Sequence, residues 1–147
     1  MSEKNFLTEM ENLFLALSDK TRLRLLNLMR EDEVCVNHLT EILNESQPKI
    51  SRHLAFLRSA NIVSARRDGK WIHYKIKIPQ NPSVANILQD TLEWLEAQET
   101  MRRDCRKLAK FSRSDAVSVV SYTTALDTYV ERDMKVKARE ELPTFLL

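Results

Sequence analysis

The sequence predicts a mainly α-helical domain that carries one small β-hairpin. Two observations support this fold class. The 147-residue chain contains a single glycine, so most of its backbone should be helical, with turns made by Asn, Asp and Pro. Apolar residues recur at helical spacing over most of the chain, whereas residues 62–78 alternate between two faces, as β-strands do.

The first part of the chain predicts three helices joined by short connections. Apolar residues at three- and four-residue spacing predict helices over residues 3–17 and about 19–30, with Ser18 as the N-cap of the second. A β-prone segment at 34–36 leads into a brief third helix over residues 37–43.

A fourth helix is predicted to begin after Ser46, whose hydroxyl can cap the first turn. Pro48 lies inside that turn, where a missing N–H costs nothing. Asn44 and Asn61 lie where the chain turns before and after this helix, and asparagine is second only to glycine in tolerating a left-handed backbone. The residues predicted to face the core are Ile50, Leu54 and Leu57.

The second part of the chain predicts a hairpin, a long helix and an extension. Asp68-Gly69 separates two alternating runs and is a strong signal for a two-residue hairpin turn. Apolar periodicity then predicts one long helix over residues 83–110. The segment 111–147 has weak periodicity and is predicted to be a weakly helical or partly disordered extension of a domain formed by residues 1–110.

Positive charge is concentrated on the fourth helix and the hairpin. Residues 44–77 contain eight Lys and Arg against two acidic residues, whereas the rest of the chain contains fifteen against nineteen. A near-neutral protein with one basic helix–hairpin unit is suited to bind a polyanion, and duplex DNA is the expected one.

Two helices joined by a tight turn and followed by a hairpin predict a winged helix-turn-helix. An α-helix fits the DNA major groove, and the side chains of its first turns reach base edges. The hairpin, or wing, would lie along phosphates or in the minor groove. The residues predicted to contact DNA are Ser46, Gln47, Lys49, Ser51, Arg52, Arg66, Arg67 and Lys70.

Other features argue against several functional classes. No apolar run approaches the ~20 residues that a membrane span needs, and the N-terminus lacks the pattern of a secretion signal. Two cysteines do not make a disulfide framework, so a reducing, cytoplasmic setting is expected. One glycine cannot build a glycine-rich cofactor loop, and residues 111–147 are too few for a catalytic domain, so we do not expect an enzyme.

Three separated motifs resemble the ArsR/SmtB family of bacterial repressors. They read LALSDKTRLRLL at 15–26, SQPKISRHL at 46–54 and RRDGKWIHY at 66–74, and the resemblance covers about residues 6–105. It implies a homodimeric winged-helix repressor that is dimerised through its first and last long helices. It also implies binding to an inverted-repeat operator, and release when a metal or metalloid binds.

The sensing residues of the family are mostly missing from this chain. Arsenic sensors of the family carry Cys-x-Cys-x-x-Cys at the start of the third helix, but here Asn37 and Thr40 follow Cys35 in that pattern. Zinc-type sensors use Asp and His of the last helices, and residues 83–110 contain no histidine. Cys105 lies where some arsenic-responsive relatives carry cysteines. Arg102, Arg103 and Arg106 beside it could lower its pKa and make it prone to oxidation.

We therefore predict a sequence-specific DNA-binding repressor and leave its inducer open. Cys35 and Cys105 could supply two thiolates to a trivalent arsenical or a soft metal ion, or respond to an oxidant. Alternatively, Cys35 is a small buried apolar residue and Cys105 an incidental surface thiol. The alternative functions are a winged-helix protein-interaction module and a metal-independent regulator with no small-molecule inducer.

Overall fold

The computed structural model describes residues 3–114 of the chain as six helices and one three-stranded antiparallel sheet. The predicted fold class is therefore confirmed. The predicted extension lies outside the described residues from position 115 onwards. The elements are α1 (Glu3–Leu17), α2 (Lys20–Leu28), β1 (Val34–Cys35), α3 (Val36–Leu43), α4 (Gln47–Ser59), β2 (Val63–Asp68), β3 (Trp71–Ile76), α5 (Pro82–Glu96) and α6 (Glu99–Ser114).

The N-cap of α2 lies one residue later than the sequence predicts. Asp19 is the cap, and its carboxylate accepts a hydrogen bond from the backbone N–H of Arg22 at 3.0 Å. The hydroxyl of Ser18 donates instead to the carbonyl of Leu15 at 2.8 Å. The prediction of Ser18 was wrong because serine and aspartate cap equally well, so residue type does not decide between adjacent positions.

Two left-handed residues set the turns on either side of α4. Asn44 has φ 53° and ψ 46°, and Asn61 has φ 64°, so both asparagines take the role predicted for them. Ser46 caps α4, because its hydroxyl accepts a hydrogen bond from the N–H of Lys49 at 3.4 Å. The prediction of a tight turn between α3 and α4 is confirmed.

The predicted hairpin forms, and a third short strand joins it. The strand order is β1-β3-β2, and β1 and β2 are each antiparallel to β3. Asp68 pairs with Trp71, so the turn residues are Gly69 and Lys70, and the prediction of Asp68-Gly69 was wrong by one position. Gly69 has φ 59°, which explains why the single glycine of the chain lies here.

The long helix predicted over residues 83–110 is in fact two helices. Helix α5 ends at Glu96 and α6 begins at Glu99. The guanidinium of Arg102 donates to the carbonyls of Glu96 and Ala97 at 3.3 and 3.0 Å, which satisfies acceptors at the end of α5. Helix α6 then packs against α2 and α3.

A buried ion pair attaches α6 to α2. Arg24 donates to both carboxylate oxygens of Asp104 at 2.8 and 2.9 Å, and Asp104 is only 1% exposed. Next to this pair, the amide nitrogen of Asn27 donates to the carbonyl of Met101 at 3.1 Å and to the sulfur of Cys105 at 3.4 Å. These polar contacts, together with the packing of Met101, Leu108 and Phe111 against the apolar core, hold α6 on α2 and α3.

One apolar core fixes the orientation of α4. The helix packs against α2, α3 and β2. Its inward residues are fully buried, as predicted: Ile50, Leu54 and Leu57. Because this face is held in the core, the opposite face of α4 is presented to solvent.

Two neighbouring helices keep large apolar side chains in solvent. Leu7 and Phe14 of α1 are 70% and 53% exposed, although Leu13 of the same helix is buried. Helix α5 packs beside α1 and exposes Trp94 at 61%. None of the helices within residues 3–114 is long and apolar enough to cross a membrane.

Candidate nucleic-acid interface

The outward face of α4 is small, polar and cationic at its beginning. Ser46, Gln47 and Arg52 are exposed, and so is Ala55, which leaves room around them. The amide nitrogen of Gln47 donates to the hydroxyl of Ser51 at 2.9 Å. Within the described part of the chain, Arg52 makes no ion pair, so its guanidinium is available to a ligand.

Lys49 already has a partner within the protein. Its ammonium donates to a carboxylate oxygen of Glu45 at 2.8 Å, an i,i+4 pair at the start of α4. The pair was not predicted, although the four-residue spacing between Glu45 and Lys49 was a usable sequence signal.

Arg66 on the wing also has a partner within the protein. Its guanidinium donates two hydrogen bonds to the carboxylate of Glu33, which lies just before β1, and the longer of the two is 3.2 Å. These bonds hold the pKa of Glu33 below its ordinary value, so its carboxylate is charged at neutral pH. The nearest nitrogen of His73 lies 4.0 Å from the same carboxylate.

The tip of the wing presents two more cations. Arg67 donates to the carbonyl of Gly69 at 3.1 Å, which fixes the base of its guanidinium beside the turn. The ammonium of Lys70 lies 5.4 Å from the centre of the Trp71 ring. The side chains of Arg67, Lys70 and Trp71 are all exposed.

The structure thus places every predicted DNA-contacting residue on α4, its N-cap or the adjacent wing. Since α4 packs directly against β2, the helix and the wing form one continuous unit. Most of the predicted residues are exposed, whereas Lys49 and Ser51 are half-buried.

Arg22 braces α4 against the end of α1, a role that the sequence analysis missed. Its guanidinium donates to the carbonyls of Leu15 and Ala16 at 2.8 and 2.9 Å. The same group lies 3.5 Å from a ring nitrogen of His53 and 4.3 Å from the centre of the Phe56 ring, both on α4. These α4 contacts join residues about thirty positions apart, so no local pattern reveals them.

The two cysteines lie in different surroundings, Cys35 on β1 and Cys105 on α6. Cys35 is buried at the end of β1, where it is the N-cap residue of α3. Burial raises the pKa of the Cys105 thiol, outweighing the hydrogen bond from Asn27. The prediction that Arg102, Arg103 and Arg106 lower this pKa was wrong, because burial of the thiol outweighs the favourable charges around it.

A three-thiolate arsenic site does not fit this chain, which has only two cysteines. Among residues 3–114, no three His, Cys, Asp or Glu side chains come close enough together to hold a metal ion. A two-thiolate site formed by Cys35 and Cys105 remains a prediction. Cys35 directly precedes α3, which packs against α6, the helix that carries Cys105.

Comparison with known proteins identifies the family. The family described as "Bacterial regulatory protein, arsR family" matches residues 19–65, from the N-cap of α2 into β2. The arsenical resistance operon repressor of Escherichia coli is 42% identical over 99 residues, which cover 67% of this chain and 83% of that repressor. This chain belongs to the ArsR family.

Other relatives agree with this assignment. An arsenic resistance transcriptional regulator of Pseudomonas putida is 44% identical over 88 residues, covering 56% of this chain and 69% of that protein. The crystal structure of the transcriptional repressor BigR from Xylella fastidiosa matches with a TM-score of 0.54 at 30% identity, covering 65% of this chain and 92% of that one. ArsR-family repressors bind DNA, and the relatives named here are transcriptional regulators rather than enzymes. The resemblance and the winged-helix fold predicted from the sequence are confirmed.

Proposed function

We propose that this ArsR-family protein is a transcriptional repressor that contacts base edges with α4 and the flanking phosphates with the wing. The observation that carries the proposal is the exposure of Arg52, which makes no ion pair within residues 3–114. Arg52 follows the first turn of α4, and the inward face of α4 is buried in the core. A guanidinium can donate two hydrogen bonds to guanine, and Gln47 and Ser51 add further donors and acceptors beside it. Arg67 and Lys70 are suited to bind phosphate.

The proposed active form is a homodimer on an inverted-repeat operator. Exposed apolar side chains on α1 and α5 support this form, because burying each of them against a second copy would stabilise the dimer. A two-fold dimer would place its two α4 helices about one turn of DNA apart, roughly 34 Å. Such a repressor would act in the cytoplasm and catalyse no reaction.

The test of DNA recognition begins with selection of an operator from a random duplex library by the wild-type protein. Replacing Arg52 by Gln should weaken operator binding by about 10-fold or more, because one bidentate base contact is lost. Arg58→Gln is the matched control, since Arg58 is an exposed arginine in the last turn of α4. Its replacement should weaken operator binding much less than that of Arg52. Failure to select any sequence, or equal affinities of the two variants, would contradict the proposal.

We further propose that any inducer acts on the thiols of Cys35 and Cys105. Cys35 directly precedes α3, and α3 packs against α6, the helix of Cys105; this arrangement supports a two-thiolate site for a trivalent arsenical or a soft metal ion. An oxidant would act on the same groups. The raised pKa of Cys105 predicts slow reaction at neutral pH, since the thiolate is the reactive form.

Gel-shift titration of the operator complex with arsenite, zinc and an oxidant tests this switch. Release from wild type that is lost in Cys35→Ser or Cys105→Ser is the expected result. Release that survives both substitutions excludes thiol sensing. No release under any condition would favour the metal-independent regulator instead.

A further inference from the structure

Two of the cations assigned to the DNA-binding surface are already neutralised by carboxylates of the same chain. Glu33 binds Arg66 on the wing through two hydrogen bonds, and Glu45 binds Lys49 at the start of α4 at 2.8 Å. The two pairs thus occur on both parts of the proposed interface, at the helix and at the wing.

The local geometry favours Glu33 as a stand-in for a phosphate. Arg66 faces it with two donors, as it would face two phosphate oxygens, and the imidazole of His73 lies 4.0 Å away. The Glu33 side chain is 22% exposed and that of Arg66 is 53% exposed, so the arginine of this pair remains accessible to a phosphate.

We propose that Glu33 and Glu45 compete with the DNA backbone for Arg66 and Lys49, and so reduce the affinity of this protein for duplex DNA of any sequence. This inference rests on the proposed function. A cation that stays paired with its carboxylate brings no net charge to a DNA phosphate, so it releases no counterion from the DNA. The pairs therefore lower the sequence-independent part of binding and leave Arg52 to discriminate between bases.

The salt dependence of binding distinguishes this role from a purely structural one. Each cation that neutralises a phosphate adds about 0.9 to the slope of log affinity against log salt concentration. Glu45→Gln should steepen that slope by about 0.9. Glu33→Gln should steepen it by up to about 0.9, because Asp68, 3.9 Å from the Arg66 guanidinium, remains in this variant. At low salt each should also tighten binding by about two- to fivefold, the range expected for an exposed ion pair.

The measurement uses the full chain and a short duplex of unrelated sequence, titrated from about 50 to about 200 mM salt. Glu41→Gln is the matched control, because Glu41 is an exposed glutamate on the neighbouring α3 and makes no ion pair within the described residues. Glu41→Gln removes one negative charge, as the two test variants do, but releases no cation. It should therefore change the affinity only slightly and leave the slope unchanged.

A double-mutant cycle then tests whether Glu33 acts through Arg66. In an Arg66→Gln background, Glu33→Gln should have no further effect on the slope. Slopes of both glutamate variants equal to that of Glu41→Gln would overturn the proposal. An effect of Glu33→Gln that persists without Arg66 would also overturn it. If Glu33→Gln folds poorly, Glu45→Gln provides the deciding comparison, because its pair is confined to the start of α4.

A different measurement would contradict the proposed function itself. A wild-type protein that binds a selected operator no better than the unrelated duplex contradicts sequence-specific recognition. The slopes of the variants on the unrelated duplex would still decide the role of the two glutamates.

Discussion

Asn44 ends α3 in a left-handed conformation and makes the turn into α4. It is held at φ 53° and ψ 46°, a conformation that costs most L-residues about 1–2 kcal/mol and glycine almost nothing. We expect Asn44→Ala to lower the free energy of unfolding by about 1 kcal/mol and Asn44→Gly to leave it nearly unchanged. Urea denaturation of the two variants measures this difference. Equal stabilities would show that the left-handed backbone is not the reason for an asparagine here.

At the residue scale, local features could be predicted from the sequence and distant pairs could not. Ser46 and Asn44 were identified because a cap and a left-handed turn depend on a few adjacent residues. The pair between Glu33 and Arg66 joins positions 33 residues apart, and the sequence between them gives no sign of the contact. Arg22 was overlooked as a brace of α4 for the same reason.

At the scale of elements, the break between α5 and α6 shows where tertiary contacts override local preference. The residues at the break, 96–99, are good helix formers, so periodicity predicted one continuous helix. Helix α6 instead packs on α2, where Arg24 binds Asp104 and Asn27 donates to the Met101 carbonyl, and its apolar residues join the core. Helical propensity is a weak preference, and tertiary contacts of this kind exceed it.

The ion pair that attaches α6 to α2 should be asymmetric in its response to mutation. Arg24→Ala leaves a carboxylate that is 1% exposed without its partner, which we expect to cost about 3 kcal/mol or more. Asp104→Ala leaves an arginine side chain that is 28% exposed and can reach water, so its cost should be smaller, about 1–2 kcal/mol. Chemical denaturation gives both values.

The double variant and a surface pair provide controls for this prediction. The combined loss in Arg24→Ala/Asp104→Ala should be smaller than the sum of the single losses, because no unpaired buried charge remains. Arg106→Ala removes an exposed pair on the same helix and should change stability little. A larger loss for Asp104→Ala than for Arg24→Ala would contradict the argument.

At the scale of the whole molecule, charge and apolar surface are separated. Residues 44–77, which include α4 and the wing, hold the excess positive charge, whereas the exposed apolar side chains of Leu7, Phe14 and Trp94 lie on α1 and α5. The sequence predicted the basic unit directly. The exposure of the apolar side chains could not be predicted from periodicity, because a helix that packs in its own core and one that packs on a partner have the same pattern.

This separation predicts that dimerisation can be abolished while α4 and the wing remain intact. Leu7→Glu and Trp94→Glu each place a charge where burial of the apolar side chain would contribute about 1.5–3 kcal/mol. We expect wild type to sediment as a dimer at micromolar concentration. Both variants should sediment as monomers and lose the affinity gained from a second half-site. Asn12→Glu is the control, since Asn12 is exposed on roughly the opposite side of α1 from Leu7 and should leave the dimer unchanged. A monomeric wild type, or dimeric Leu7→Glu and Trp94→Glu variants, would mean that α1 and α5 do not form the interface.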